Sequence, residues 1–215
     1  MIKTNSIIYL SHFINTNTPI YGGIKNKITI EQVNSISKGD SSNNTFLSFP
    51  AHVGTHIDFP YHFNTKAKTS SQYDAAFWIF SEVGFLECQI SDIEYHLNKL
   101  SSNIELLILK TGFGNNREKP IYYNEQPVIN SNLAKKIKNC FPKLRIFGFD
   151  LISLTSKLDR IEGKLAHQSF LLEEDILILE DMKLDCLNTT PKTVIVSPLL
   201  IHNIDGAPCT VIAIQ

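Results

Sequence analysis

Short apolar runs rich in Ile, Val, Leu and Phe recur along the chain: "SIIYL" (6–10), "TFLSF" (45–49), "VGFLECQI" (83–90), "IELLILKT" (104–111), "RIFGFD" (145–150), "DILILE" (175–180), "TVIVSPLLI" (193–201) and "CTVIAIQ" (209–215). Runs of this length and composition read as strands. Helical spacing is rarer. It predicts helices over "SQYDAAFWIF" (71–80), "SDIEYHLNKL" (91–100) with Ser91 as N-cap, "NSNLAKKIKNCF" (130–141) and "LAHQSFLLEE" (165–174). Helical segments fall between strands, which favours an α/β or α+β domain with a mixed sheet and flanking helices over a bundle or a pure sandwich. No repeat, long Gly/Ser/Pro linker or run of like charge marks a boundary, so residues 1–215 read as a single domain.

Composition narrows the picture. With 215 residues, 43% of them hydrophobic, the chain is long enough to bury a substantial core. The balance of 20 basic against 21 acidic residues, with no basic stripe, predicts no nucleic-acid partner. The opening "MIKTNSIIYLSHFINTNTPIY" places polar residues where a signal peptide needs an apolar run, and no 18-residue apolar stretch follows. A soluble, cytoplasmic protein with no membrane partner is expected. Cys88, Cys140, Cys186 and Cys209 are scattered without a CxxC pair, which predicts reduced thiols and no thiolate zinc site.

The densest chemistry lies in "HVGTHIDFPYH" (52–62). Gly54, the β-branched Val53, Thr55 and Ile57, and Pro60 argue against helix. In an extended chain His52, His56, Asp58 and His62 share one face, because side chains alternate. A straight strand would still hold His52 and His56 roughly 13 Å apart, too far to meet at one ion. The segment must therefore bend at Gly54 and Pro60. Imidazole nitrogen with carboxylate oxygen suits zinc, manganese or iron rather than calcium or magnesium.

Further ligands must come from elsewhere. His167 and Glu180, the latter ending "DILILE", are the candidates, although alone each would read as a helix-surface histidine and a solvated strand end. If two ions share the site, Asp58 can bridge them and bring a water's pKa down toward neutral. His62, past the rigid Pro60, is the candidate acid/base. Asp150, at the end of "RIFGFD", divides evenly between a site role and a turn role. Lys110 with Thr111, and His202 with Asp205, also follow strands. Asp205-Gly206 reads as an ordinary turn. His12 and His96 read as ordinary histidines.

"HVGTHIDFPYHF" resembles the H-x-G-T-H-x-D-x-P-x-H-F signature of the metal-dependent cyclase family that includes bacterial kynurenine formamidase and isatin hydrolase. "YLSHFINTNTPIYGG", "SISKGDSSNNTFLSF", "LLILKTGFG", "FGFDLISL" and "SPLLIHNIDGAPCTVIAI" resemble further segments of that family, over nearly the full length. The resemblance implies a swivelling β/β/α-type domain, a homo-oligomer (dimer or tetramer), and metal-assisted hydrolysis of an amide or lactam. It implies that His52, His56 and Asp58 hold the first of two divalent ions, zinc or alternatively manganese. Asp58 is then shared with a second ion held by His167 and Glu180, and His62 is the acid/base. Tyr21 falls where formamidases place a substrate-stacking aromatic, usually Trp. Gly22 stands in place of the family's Pro, Lys110 in place of Arg, and Thr210 where Arg is common. The His167 to Glu180 spacing is one residue longer than the resemblance leads one to expect.

The expected activity is that of an N-formylkynurenine formamidase, releasing kynurenine and formate. One rival keeps the chemistry and opens a cyclic amide or ester. Another uses the same ligands only to hold a non-catalytic binding module together.

Overall fold

Three apolar runs in the middle of the chain are buried on both faces, as strands are when helices or loops cover both sides of a sheet. The computed structural model describes residues 6–215, so residues 1–5 of the stretch read for a leader lie outside them. The strands are β1 (Ile7–Tyr9), β2 (Thr29–Asn34), β3 (Asn44–Ser48), β4 (His56–Asp58), β5 (Ile79–Phe80), β6 (Val83–Glu87), β7 (Leu106–Lys110), β8 (Ile146–Phe149), β9 (Leu177–Glu180), β10 (Thr193–Pro198) and β11 (Gly206–Ile214). The helices are α1 (Ile93–Leu97), α2 (Ile121–Asn124), α3 (Asn132–Cys140) and α4 (Arg160–Gln168), with short 3-10 turns between elements.

The main sheet runs β5-β10-β11-β4-β9-β8-β7-β6, with β1 also beside β11. From β6 to β9 the strands are parallel, while β4, β11, β10 and β5 pair antiparallel. β5 and β6 lie at opposite ends of this order, yet only Ser81 and Glu82 separate them in the chain. So short a link spans only about 10 Å. The sheet must therefore curl until its ends approach, giving a nearly closed, barrel-like mixed sheet. Arg145 helps draw the ends together, donating to Phe77 O at 2.6 Å and Ile79 O at 3.2 Å and pairing with Glu105 at 2.7 Å. α3 turns Leu133, Ala134 and Ile137 into a large apolar cluster, which runs through β6–β9 and β10–β11.

The mixed α/β reading stands, with corrections to its parts. Residues 71–80 are not a helix: Asp74 caps a short 3-10 turn, accepting Phe77 N at 3.0 Å, and Ile79–Phe80 then pair with Ile195 and Val194. Strand pairing at the sheet end overrides helical spacing there. Ser91 is not an N-cap, because a 3-10 turn precedes α1 and the hydroxyl bonds Asp92 instead. The helix sought at 165–174 begins earlier, capped by Asp159 on Glu162 N, and continues past Gln168 as a π-helical turn, Ser169–Glu173. β2 and β3 form a separate ribbon exposed along its length, and β2, polar and unburied, carries no apolar signal to read. All four cysteines are free thiols, and no helix among the described residues is long and apolar enough to cross a membrane.

Candidate metal centre

The segment 52–62 bends where its residues allow. Gly54 takes φ +60°, a left-handed conformation that side chains disfavour, and Pro60 opens a 3-10 turn that brings His62 back toward the strand. What remains extended is β4, three residues long and fully buried between β9 and β11. Register then does the assembling. His56 lies directly opposite Glu180, and Asp58, two residues on, shares its face. Across β11, Asp58 faces Gly206, where a Cβ would come within 2.5 Å of the His52 ring. Glycine leaves the space that His52 fills.

Asp58 stands at the middle. Its Oδ1 is 2.7 Å from His52 Nδ1 and 3.4 Å from His56 Nε2, and its Oδ2 is 3.4 Å from His167 Nε2. Glu180 reaches His56 Nε2 at 3.3 Å and His167 Nε2 at 3.5 Å. Among the described residues three triplets of metal-type ligands result, His52/His56/Asp58, Asp58/His167/Glu180 and His52/His62/Asp205, and the first two share the Asp58 carboxylate. Glu180 is held in place by Leu154 N at 2.5 Å and the Ser153 hydroxyl at 3.2 Å.

Both flanking histidines are locked in one tautomer. His56 Nδ1 donates to Gly54 O and His167 Nδ1 to Gly163 O, each at 2.8 Å. Each ring therefore aims Nε2 at the carboxylates. His56 Nε2 is buried and makes no hydrogen bond. A lone pair facing two carboxylates demands a cation between them, either a proton on the ring or a metal ion. The donor set, imidazole and carboxylate without thiolate, is that of zinc or manganese, so these residues fit the ions the sequence implies.

Electrostatics give the same answer for the metal-free protein. Burial alone would lower His167, but hydrogen bonds with Asp58 and Glu180 raise it to about 10. His52 is lowered by burial and raised more strongly by Asp58 and Asp205, also to about 10. Burial raises Asp58, and the surrounding histidines overcome it and hold the carboxyl well below its ordinary range. Protons stand where divalent ions could.

A cavity of about 260 Å³ opens over this cluster, walled by His62, Phe63, Ile152, Thr155, Asp181 and Tyr21. Phe63 stacks on His167 at 4.8 Å. The Tyr21 hydroxyl is buried at the wall, with the Arg160 guanidinium beside it. A larger groove of about 710 Å³ beside Phe13, Phe49 and Leu200 contains none of the ligand clusters. Size does not mark the chemistry here.

The structure brings His52, His56, Asp58, His167 and Glu180 close together, and His62 and Tyr21 line the same cavity. A π-helical turn, Ser169–Glu173, wider than an α-helical one, lies between His167 and Glu180. Asp205 is a miss. Its backbone does make the expected turn, but its Oδ2 lies 2.9 Å from His52 Nε2 and 3.0 Å from His62 Nδ1, and those bonds hold the carboxyl below its usual range. Its signals were its place among the polar residues that follow strands and in the "DGAP" stretch of the family resemblance. Asp150 belongs to the scaffold: it accepts Thr111 N, Thr111 Oγ1, Gly112 N and Gly114 N at 2.6 to 3.3 Å, ordering the loop after β7. Lys110 likewise ties down Leu187 O at 3.0 Å.

Residues 8–155 match the family described as "Putative cyclase". Kynurenine formamidase of Bacillus cereus is 28% identical over 96% of both chains, and that of Bacillus anthracis is 26% identical over 96% of both. Among solved structures, isatin hydrolase A from Labrenzia aggregata, bound to benzyl benzoate, superposes with a TM-score of 0.79 at 18% identity, covering 96% of this chain and 92% of that one. An isatin hydrolase bound to the product analogue thioisatinate gives 0.76 at 15%, covering 96% and 91%. At these identities the structures show a shared fold.

Proposed function

This chain belongs to the cyclase family, and we propose that it is a metal-dependent hydrolase of a small amide, an arylformamidase that splits N-formylkynurenine into kynurenine and formate. The observation that carries the reading is the shared carboxylate: Asp58 turns one oxygen to His52 and His56 and the other to His167. His52, His56 and Asp58 would hold one divalent ion, and Asp58, His167 and Glu180 a second, zinc or alternatively manganese. Such ions, when bound, polarise a carbonyl and lower the pKa of water to near neutral.

The chain's own groups supply the rest. Phe63 and Ile152 give the cavity an apolar wall over the cluster, and Tyr21 offers its ring to the substrate. His62, held through Nδ1 by Asp205, keeps Nε2 for proton transfer. An arylamine leaves poorly as an anion, so a proton delivered from His62 to its nitrogen acts where the barrier is highest. The same proposal includes one swivelling β/β/α-type domain over 1–215, a homo-oligomer, a small-molecule substrate and a cytoplasmic location.

A second reading, a cyclic amide or ester opened by the same chemistry, is favoured by the cavity itself, whose 260 Å³ is small beside the roughly 300–1,000 Å³ of ordinary ligand sites. One panel tests both. Purified protein is analysed for metal, then assayed with formanilides, N-formylkynurenine, isatin and lactones, with zinc or manganese added. Turnover of the formanilides that disappears with chelator and returns with metal is expected. Activity indifferent to chelator, in material without transition metal, would end the reading.

A further inference from the structure

We infer that Asp205 is a positioning residue for this site, one carboxylate oxygen that sets the orientation of His52 toward the metal centre and of His62 toward the substrate. The inference rests on the roles proposed above for those two histidines. Asp205 Oδ2 is 2.9 Å from His52 Nε2 and 3.0 Å from His62 Nδ1, and the two rings lie 4.3 Å apart, close enough for one oxygen to serve both. An ionised carboxylate only accepts, so with no ion among these three groups both facing ring nitrogens carry hydrogen. In the neutral rings the lone pairs then fall on the opposite atoms. On His52 that is Nδ1, 2.7 Å from Asp58 Oδ1, and on His62 it is Nε2.

The other two candidate ligands show the same construction. His56 and His167 each anchor the nitrogen that faces away from the carboxylates on a backbone carbonyl, Gly54 O and Gly163 O. His52 has no such carbonyl, and Asp205 takes that place. Such outer partners fix the tautomer of a ligand histidine and raise its basicity. The carboxylate is not what folds its own turn: the Asp205 carbonyl accepts Phe59 N at 2.9 Å, and Gly206 pairs in register with Asp58. Removing the side chain therefore separates positioning from folding.

The test compares wild type, Asp205→Ala and Asp205→Asn, with ring-15N histidine. Two-bond 1H–15N spectra at pH 9 report which nitrogen of His62 carries hydrogen, with and without zinc. Zinc affinity is read by competition with a chromophoric chelator, and the thermal midpoint of the metal-free protein checks folding. Wild-type His62 is expected as the Nδ1–H tautomer. Asp205→Ala should shift it to Nε2–H and weaken zinc about 10–100-fold with little change in thermal midpoint. Asp205→Asn, which keeps an acceptor oxygen, should restore the tautomer. An unchanged His62 tautomer together with unchanged zinc affinity in Asp205→Ala overturns the inference while leaving the metal reading intact. A wild type that binds no zinc overturns the metal reading, and the metal-free His62 spectra still decide the role of Asp205.

Discussion

His56 and Glu180 face each other across β4 and β9, with Nε2 and Oε2 3.3 Å apart and both side chains buried. Neither partner can be spared cheaply. Substituting His56→Ala leaves the Asp58 and Glu180 carboxylates with one counter-charge fewer, and loss of a partner from a buried pair costs about 3–5 kcal/mol. The metal-free variant should unfold at markedly lower urea than wild type, and zinc analysis should show at least one equivalent lost. An undiminished urea midpoint would show that the pair does not carry this charge balance.

His62→Ala and Asp58→Ala should fail differently. His62 sits at the cavity wall and outside both triplets that share Asp58, so its removal should lower turnover about 100- to 10,000-fold with zinc content unchanged. Asp58→Ala should lose metal and turnover together. Wild-type activity in His62→Ala would remove that residue from the proton transfer.

Gly206→Ala tests the space over Asp58. The added Cβ would meet His52 Cε1 at 2.5 Å, so the ring must swing away from Asp58. One zinc should be lost while the other, on His167 and Glu180, remains. Retention of both ions at wild-type affinity would place His52 outside the ligand set.

The metal-free protein should lose stability as pH rises from neutrality toward 10. His52 and His167 are each raised from an ordinary 6.5 to about 10, so the folded state binds protons that the unfolded chain releases. Their contribution is full below pH 6.5 and is lost as pH passes through 10. Asp58, lowered, works the other way and contributes above its ordinary 3.8, with loss as pH falls further. Zinc-bound imidazoles hold no such proton, so loading should flatten the alkaline decline. Urea midpoints at pH 7, 8.5 and 10, with and without zinc, check this. A metal-free midpoint that climbs over that range contradicts the charge assignment.

Local pattern was enough for much of this molecule. The buried runs of β7, β8 and β9 and the amphipathic α3 follow from residue order, because burial on two faces or on one leaves a repeat that needs no knowledge of partners. The parity of His52, His56 and Asp58, with Gly54 and Pro60 at the bends, was equally local, since side-chain alternation and backbone restriction act within a few residues. What pattern cannot supply is adjacency. Asp205 lies 153 residues from His52, and only the pairing of β11 with β4 sets its carboxylate between His52 and His62. The π-helical turn before β9 and the strand ending at Phe80 were likewise settled by packing: long-range pairing outweighs local preferences worth a fraction of a kcal/mol per residue. The chain's own order names the candidate ligands; the curl of the sheet decides which of them meet.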